Sequence, residues 1–292
     1  MEKAVVIGGG GFLGSHLADE LTDRGIHVVI FDISQSQWIR PEQEMIIGDV
    51  FDTRKLHDAI SGATYCYHFA GIADIGESRQ QPLETLRVNV MGTSAVLEAV
   101  RSHKVKRFLY ASTMYVYSPF GSFYRASKQA SETIIEAYQQ EFDVSYTLLR
   151  YGSLYGPRSQ KWNGLRKYVN EIVRHGRIEY PGTGLELREC IHVKDAARLS
   201  ADVLADRFKN RAITITGTQL QSSAETIGLI FEIAGKEKRV VYSDKKTESH
   251  HYEMTPYRYT PKDAYKLIPA EFIDFGQGIL QLVEEASEEL KS

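Results

Sequence analysis

Tyr124 and Lys128 stand four residues apart in the segment YRASK, with ten residues between Tyr124 and Thr113, which closes the segment AST. A free phenol has a pKa near 10 and is a poor base at neutral pH. On a helix, residues four apart share a face, so the Lys128 ammonium can stand beside Tyr124 and stabilise its anion. Lowering the phenol pKa by about three units takes about 4 kcal/mol of differential interaction. Tyr124 can then take a proton from a hydroxyl group while Thr113 holds the same oxygen by a hydrogen bond. Tyr-x-x-x-Lys alone is weak evidence in a chain with 17 tyrosines. It gains weight from where it falls and from what opens the chain.

The chain opens with AVVIGGGGFLGSH. Ala4 to Ile7 is a short apolar, β-branched run with the pattern of a buried strand. Gly8, Gly11 and Gly14 follow at spacings of three, which suits a tight turn whose backbone can touch a phosphate. The backbone of Gly11, Phe12, Leu13 and Gly14 then starts a helix whose free N–H groups face an anion. A second apolar run, His27 to Phe31, ends in Asp32, whose carboxylate can accept both hydroxyls of an adenosine ribose. A carboxylate there repels a 2′-phosphate, and no arginine follows before Arg40. The expected cofactor is therefore NAD rather than NADP, and the Tyr124–Lys128 pair opens the helix after a hydroxyl-bearing strand end, where it can work beside a nicotinamide.

Strand-like and helix-like segments alternate through the elements that must position these residues. Strands are expected at 44–47, 64–70, 107–111 and 144–149, with helices at 53–61, 82–101 and 124–142 between them. This pattern implies an α/β fold of Rossmann type, a doubly wound parallel sheet with ligands at the C-terminal strand ends. Asp49, His68, Ala70, Gly71 and Thr113 would lie along that edge. After Arg150 the pattern loosens into YGSLYGPR, a helix at 165–175, a PGTG turn, another helix within 191–206 and a strand at 212–216. The expected division is an NAD-binding domain over 1–150 with a chain return at about 189–216. A smaller mixed C-terminal lobe, over 151–188 and 217–292, would bind substrate.

Composition is that of a soluble enzyme. A chain of 292 residues buries about 75% of its unfolded surface. Charged residues make up 25% and the net charge is −3, which leaves no basic footprint for nucleic acid. No apolar stretch approaches the ~20 residues of a membrane span, and the first strand begins too early for a secretory leader. Cys66 and Cys190 have no metal-ligand spacing and are expected to be reduced thiols of a cytoplasmic protein.

The motifs GGGGFLG with Asp32, GDV at Gly48, HFAG at His68, NVMGT at Asn89, AST, YRASK, LRYGSLYGPR at Leu149 and RECIHVKDAA at Arg188 run nearly end to end. In this order the chain resembles the extended short-chain dehydrogenases/reductases, in particular the NAD-dependent epimerases and dehydratases acting on nucleotide sugars. The resemblance implies that Asp49 and Val50 flank the adenine, that Ala70, Tyr124 and Lys128 serve the nicotinamide half, and that Gly71 and Asn89 also bind the cofactor. Tyr151 and Ser153 would lie near nicotinamide and substrate, Ser78 would face the substrate and Arg188 its phosphates. It also implies a homodimer formed through the helices at 82–101 and 123–142.

Relatives that dehydrate place an Asp-Glu pair directly after the threonine, and relatives that decarboxylate place a glutamate two positions after it. Here those positions are Met114 and Tyr115, neither of which can act as a carboxyl acid–base. What remains is oxidation at one carbinol, followed by return of the hydride to the opposite face or by release of the ketone. The expected activity is a nucleotide-sugar 4-epimerase with a UDP-sugar favoured; the alternative is a dehydrogenase or ketoreductase. A non-catalytic NAD sensor would have a broken Thr–Tyr–Lys set, and here the set is intact. The segment SPFGSF before Tyr124 is shorter than in relatives, which implies a more open rim. His192 is expected to be structural and His250 with His251 a surface loop. Trp162 and Asn163 suit either ligand contact or packing. Lys245, Lys246 and Arg258 are weak candidates for a second diphosphate contact.

Overall fold

The computed structural model describes residues 2–243 and 253–257, all within one compact unit. Lys245, Lys246, His250, His251 and Arg258 lie outside the described residues. The first half runs β1 (Lys3–Ile7), α1 (Phe12–Asp23), β2 (His27–Asp32), β3 (Glu44–Ile47), α2 (Thr53–Ile60) and β4 (Tyr65–His68). Two short helices follow, α3 (Ile75–Gln80) and α4 (Pro82–Leu86), then a π-turn over Arg87–Met91 and α5 (Gly92–Ser102). β5 (Arg107–Thr113) leads through a 3₁₀ turn (Met114–Tyr117) into α6 (Ser122–Phe142) and β6 (Tyr146–Tyr151). The second half contains β7 (Ser153–Tyr155), α7 (Gly164–His175), β8 (Ile178–Pro181), β9 (Leu187–His192) and α8 (Val193–Asp202). β10 (Arg211–Ile215), β11 (Leu220–Ser222), α9 (Ser223–Ile233) and β12 (Val240–Ser243) complete it.

Seven strands form one sheet in the order β10-β6-β5-β4-β1-β2-β3, and every neighbouring pair is parallel. Such strands are buried on both faces, and their alternate side chains divide accordingly. Val6, Ile30, Tyr67, Leu109 and Leu149 pack with Leu17 and Leu21 of α1 and Ala196 and Ala197 of α8. Val5, Ile7, Phe31, Phe108 and Leu148 pack on the other side with Leu56 of α2, Val96 and Val100 of α5 and Ile135 of α6. Chain order reverses at β1, which lies between β2 and β4, so a crevice opens at the C-terminal ends of β1 and β4. The expected doubly wound fold is present.

Beside this sheet stand a three-stranded sheet, β11-β9-β7, and a two-stranded one, β12-β8. Ile172 of α7, Ile178 and Tyr180 of β8, and Ile227 and Phe231 of α9 form their separate apolar cluster. Within 189–216, α8 and β10 join the large sheet, whereas residues 189–192 belong to β9 of the small one.

Several elements differ from the periodicity reading. The helix expected at 82–101 is interrupted by the π-turn, because the Asn89 carbonyl accepts hydroxyl hydrogen bonds from Thr93 (2.6 Å) and Ser131 (2.9 Å). β4 ends at His68, not residue 70, which frees Phe69 to Gly71 to form the crevice wall. β5 runs on to Thr113, so the threonine sits on the last strand position.

Candidate active site

The glycine turn closes tightly. Gly8 has φ +79°, and a Cβ there would stand 2.5 Å from the Ala70 nitrogen; one on Gly14 would stand 2.3 Å from the Gly8 oxygen. Only bare backbone fits, and it brings the start of α1 against the loop after β4. The N-cap of α1 is Gly11, with no side chain bonding the first-turn N–H groups. Gly8, Gly11, Phe12, Leu13 and Gly14 all line the crevice. Helix-start donors left in this way bind phosphate. At the end of β2, Asp32 Oδ2 accepts the Gly10 N–H at 2.9 Å, which fixes the carboxylate on the crevice edge. Asp49 and Val50 follow β3 on the same edge. A turn that only glycine fills, an uncapped helix start and an oriented carboxylate together fit the pyrophosphate and adenosine ribose of a dinucleotide.

Thr113, Tyr124 and Lys128 meet on the far side of this crevice and all line it. Lys128 is buried on α6; its Nζ donates to the Ala111 carbonyl at 2.7 Å and lies 4.6 Å from the centre of the Tyr110 ring. The same nitrogen is 6.0 Å from the centre of the Tyr124 ring. Burial pushes the Lys128 ammonium below its ordinary value, while Tyr124 and Glu132 favour the charge. Thr113 Oγ1 accepts the Tyr115 N–H at 3.2 Å, which leaves its hydroxyl proton to donate elsewhere. Tyr115 stands edge-on to Tyr124, ring centres 6.1 Å apart.

Ala70, Gly71, Tyr151, Ser153 and Arg188 also line the crevice. Arg188, on β9, donates from Nη1 to the Leu187 and Glu253 carbonyls. The Tyr151 phenol is bonded to Ser200 Oγ at 2.6 Å, and because that hydroxyl donates onward to Ala196, Tyr151 is the donor. Asn89 and Ser78 are buried and do not face the crevice. The Asn89 amide accepts from Ile72 N (2.7 Å) and donates to Ile72 O (3.0 Å) and Ser127 Oγ (2.9 Å). Its role is to hold the loop after Gly71. Ser78 donates to the Ile75 carbonyl within α3.

His68 is buried behind the wall, and burial, with the Lys128 charge, lowers its pKa to about 3. Since Thr93 donates to Asn89 O, the neutral His68 ring donates from Nε2 to Thr93 Oγ1. His192 caps α8 and stacks edge-on with Tyr155, a structural placement. Asn163 caps α7 and donates to Leu154 O, while Trp162 lines the crevice.

Two crevice residues lacked a sequence signal. Lys167 of α7 is a further cation lining the crevice with Arg188; in sequence it is one of many charges on an amphipathic helix. Tyr115 was legible only as an absent carboxylate. The crevice encloses about 1950 Å³, roughly twice the upper end of a typical small-molecule pocket, so it has room for a dinucleotide and a second ligand together.

The model of the NAD dependent epimerase/dehydratase family matches residues 4–215. The chain belongs to this family. It is thus an NAD-dependent enzyme of the extended short-chain dehydrogenase/reductase type. A putative UDP-glucose 4-epimerase of Methanocaldococcus jannaschii is 26% identical over 276 residues, covering 86% of this chain and 88% of its own. The crystal structure of a Thermotoga maritima UDP-glucose 4-epimerase with UDP-glucose superposes with a TM-score of 0.80 at 23% identity, covering 88% of this chain and 90% of that one. A Bacillus cereus UDP-glucuronic acid 4-epimerase, in complex with UDP-glucuronic acid and NAD, gives 0.80 at 23% identity over 90% and 95% of the two chains. At these identities the two structural likenesses are likenesses of fold.

Proposed function

We propose that this family member is a nucleotide-sugar 4-epimerase acting on a UDP-hexose or UDP-hexuronic acid. The observation that carries the reading is an intact Thr113–Tyr124–Lys128 set on the dinucleotide crevice, followed by Met114 and Tyr115 where a carboxyl acid–base would be needed for elimination or decarboxylation. Met114 is fully buried and Tyr115 stands edge-on to the Tyr124 ring.

In this reading Gly8, Gly11, Phe12, Leu13, Gly14, Asp32, Asp49 and Val50 hold the adenosine diphosphate half of NAD. Ala70, Gly71, Tyr124, Lys128 and Tyr151 border the nicotinamide half. NAD supplies a reversible two-electron acceptor for a carbinol carbon. Thr113 donates a hydrogen bond to the C4 oxygen and aims it at Tyr124. The Tyr124 phenolate takes the proton of that oxygen and later gives it back, while Lys128, buried on α6, compensates the negative charge. Ser153 contacts the sugar, and Arg188 and Lys167 bind the two phosphates. The division of labour has the large sheet hold cofactor and the part built on β7, β9 and α7 hold substrate.

The protein is also proposed to be a cytoplasmic homodimer. Leu83 of α4 and Met91 of the π-turn, 82% and 59% exposed, lie with Phe123 of α6 on the faces expected to pair. Denaturing the purified protein and identifying what it releases tests the functional reading. Stoichiometric NAD or NADH surviving gel filtration is expected, because an epimerase must keep its reduced cofactor between two transfers. An empty protein that binds NAD reversibly would favour the dehydrogenase or ketoreductase.

A further inference from the structure

The active side chains come from different elements, and one buried cluster joins all of them. Glu132 lies two turns after Tyr124 and one after Lys128 on α6, and its carboxylate is buried. Oε1 accepts from Ser112 Oγ at 2.5 Å and from Arg150 Nε at 2.9 Å, and Oε2 accepts from Arg150 Nη2 at 2.6 Å. Arg150 Nη1 also donates to the Tyr117 hydroxyl, in the turn between Thr113 and α6. Ser112 and Arg150 are register partners across β5 and β6, and the next pair in that register is Thr113 and Tyr151. Alternation along a strand turns Ser112 and Arg150 toward α6. The contacts that anchor α6 thus lie one residue from the groups in the crevice.

We propose that Glu132 and Arg150 are positioning residues, an ion pair that locks α6 onto the paired ends of β5 and β6 and so sets Tyr124 and Lys128 against Thr113. Stability alone does not account for such a pair, since buried ion pairs are often replaceable by apolar side chains without loss of stability. Bidentate geometry does what an apolar contact cannot: it fixes distance and rotation together. A reacting group moved by about 1 Å can lose ~100-fold in rate, so a lock at this point controls the chemistry.

This inference rests on the role proposed for Tyr124, and its test includes a reading that needs no sugar substrate. Either single change leaves a buried charge unpaired, so the informative variant is Glu132→Gln with Arg150→Met, which removes one charge of each sign. The titratable groups facing the pair are Lys128 on α6, Tyr110 on β5, Tyr117 in the 3₁₀ turn and Tyr146 on β6, those facing Tyr124 are Lys128 and Tyr115, and none of them is altered. Tyrosinate absorbance is followed against pH in the NAD-loaded protein, and the same curve with Tyr124→Phe added is subtracted to isolate Tyr124.

The double variant is expected to fold and to bind NAD within about threefold by calorimetry. Its Tyr124 midpoint should shift upward by about one unit as the phenol loses its place beside the ammonium. Turnover of UDP-glucose should fall at least tenfold with KM changed less than about threefold, the mark of lost positioning rather than lost binding. An unmoved Tyr124 titration in a stable, NAD-binding double variant overturns the proposal. So does a double variant that cannot fold, since the pair would then be serving stability. If the wild type fails to turn over UDP-glucose, the substrate reading falls while the titration still decides this one.

Discussion

At the scale of single residues the account turns on Tyr124 and on what surrounds it. Tyr124→Phe removes the proton carrier and keeps the ring against Tyr115. Turnover should drop by about 10² to 10⁴-fold, while NAD binding, measured by calorimetry, stays within a few fold. His68 gives a separate prediction in stability. Its folded pKa of about 3 lies below the ordinary 6.5, so at acid pH the unfolded chain takes up a proton that the folded chain refuses. The His68 contribution is therefore complete above pH 6.5 and is lost as pH falls toward 3. Lowering the pH from 6.5 to about 4.5 should cost about 2 kcal/mol of stability through this group alone. Urea unfolding of the wild type and of His68→Asn at the two pH values checks it: the fall should be smaller in the variant by that amount. Equal falls would show that His68 accepts its proton without unfolding.

At the scale of elements, the turn between β1 and α1 is where sequence and structure agree most closely. A Cβ on Gly14 would press on the Gly8 carbonyl at 2.3 Å, with backbone that cannot move aside. Gly14→Ala should therefore push α1 off the turn and weaken NAD binding at least tenfold in calorimetric titration, the cost of one lost group of charged hydrogen bonds. This turn was legible because steric exclusion restricts each position to glycine. Thr113, Tyr124 and Lys128 were legible because a strand end and a helix face fix their direction. The loss was greatest where short strands carry little periodicity. β8 has four residues alternating buried and exposed, too few to distinguish from a loop, and β7 and β11 have three each. Helix α9 did carry a signal: Ser222 and Glu225 form a capping box before Ile227 and Phe231. The resemblance alone places Asn89 against the cofactor. Its amide is matched to the Ile72 backbone, a pairing across seventeen residues that spacing cannot reveal.

At the scale of the whole molecule, a doubly wound sheet places a dinucleotide site and a proton-transfer set on one crevice, and Lys167 of α7 and Arg188 of β9 bring cations to the same crevice. Pairing of two copies through α4, the π-turn and α6 would cover Leu83 and Met91. Leu83→Glu with Met91→Glu should then halve the mass seen by light scattering, and an unchanged mass would remove this face from the assembly. The central claim is that one protein both oxidises a sugar carbon and restores it with inverted configuration. The direct measurement is to incubate the enzyme with UDP-glucose carrying deuterium at C4 and to follow C4 by NMR and absorbance at 340 nm. We predict UDP-galactose with the deuterium retained at C4 and no accumulation of NADH beyond the enzyme concentration. A ketone formed with one NADH per sugar, or deuterium lost to added unlabelled NADH, would contradict the account.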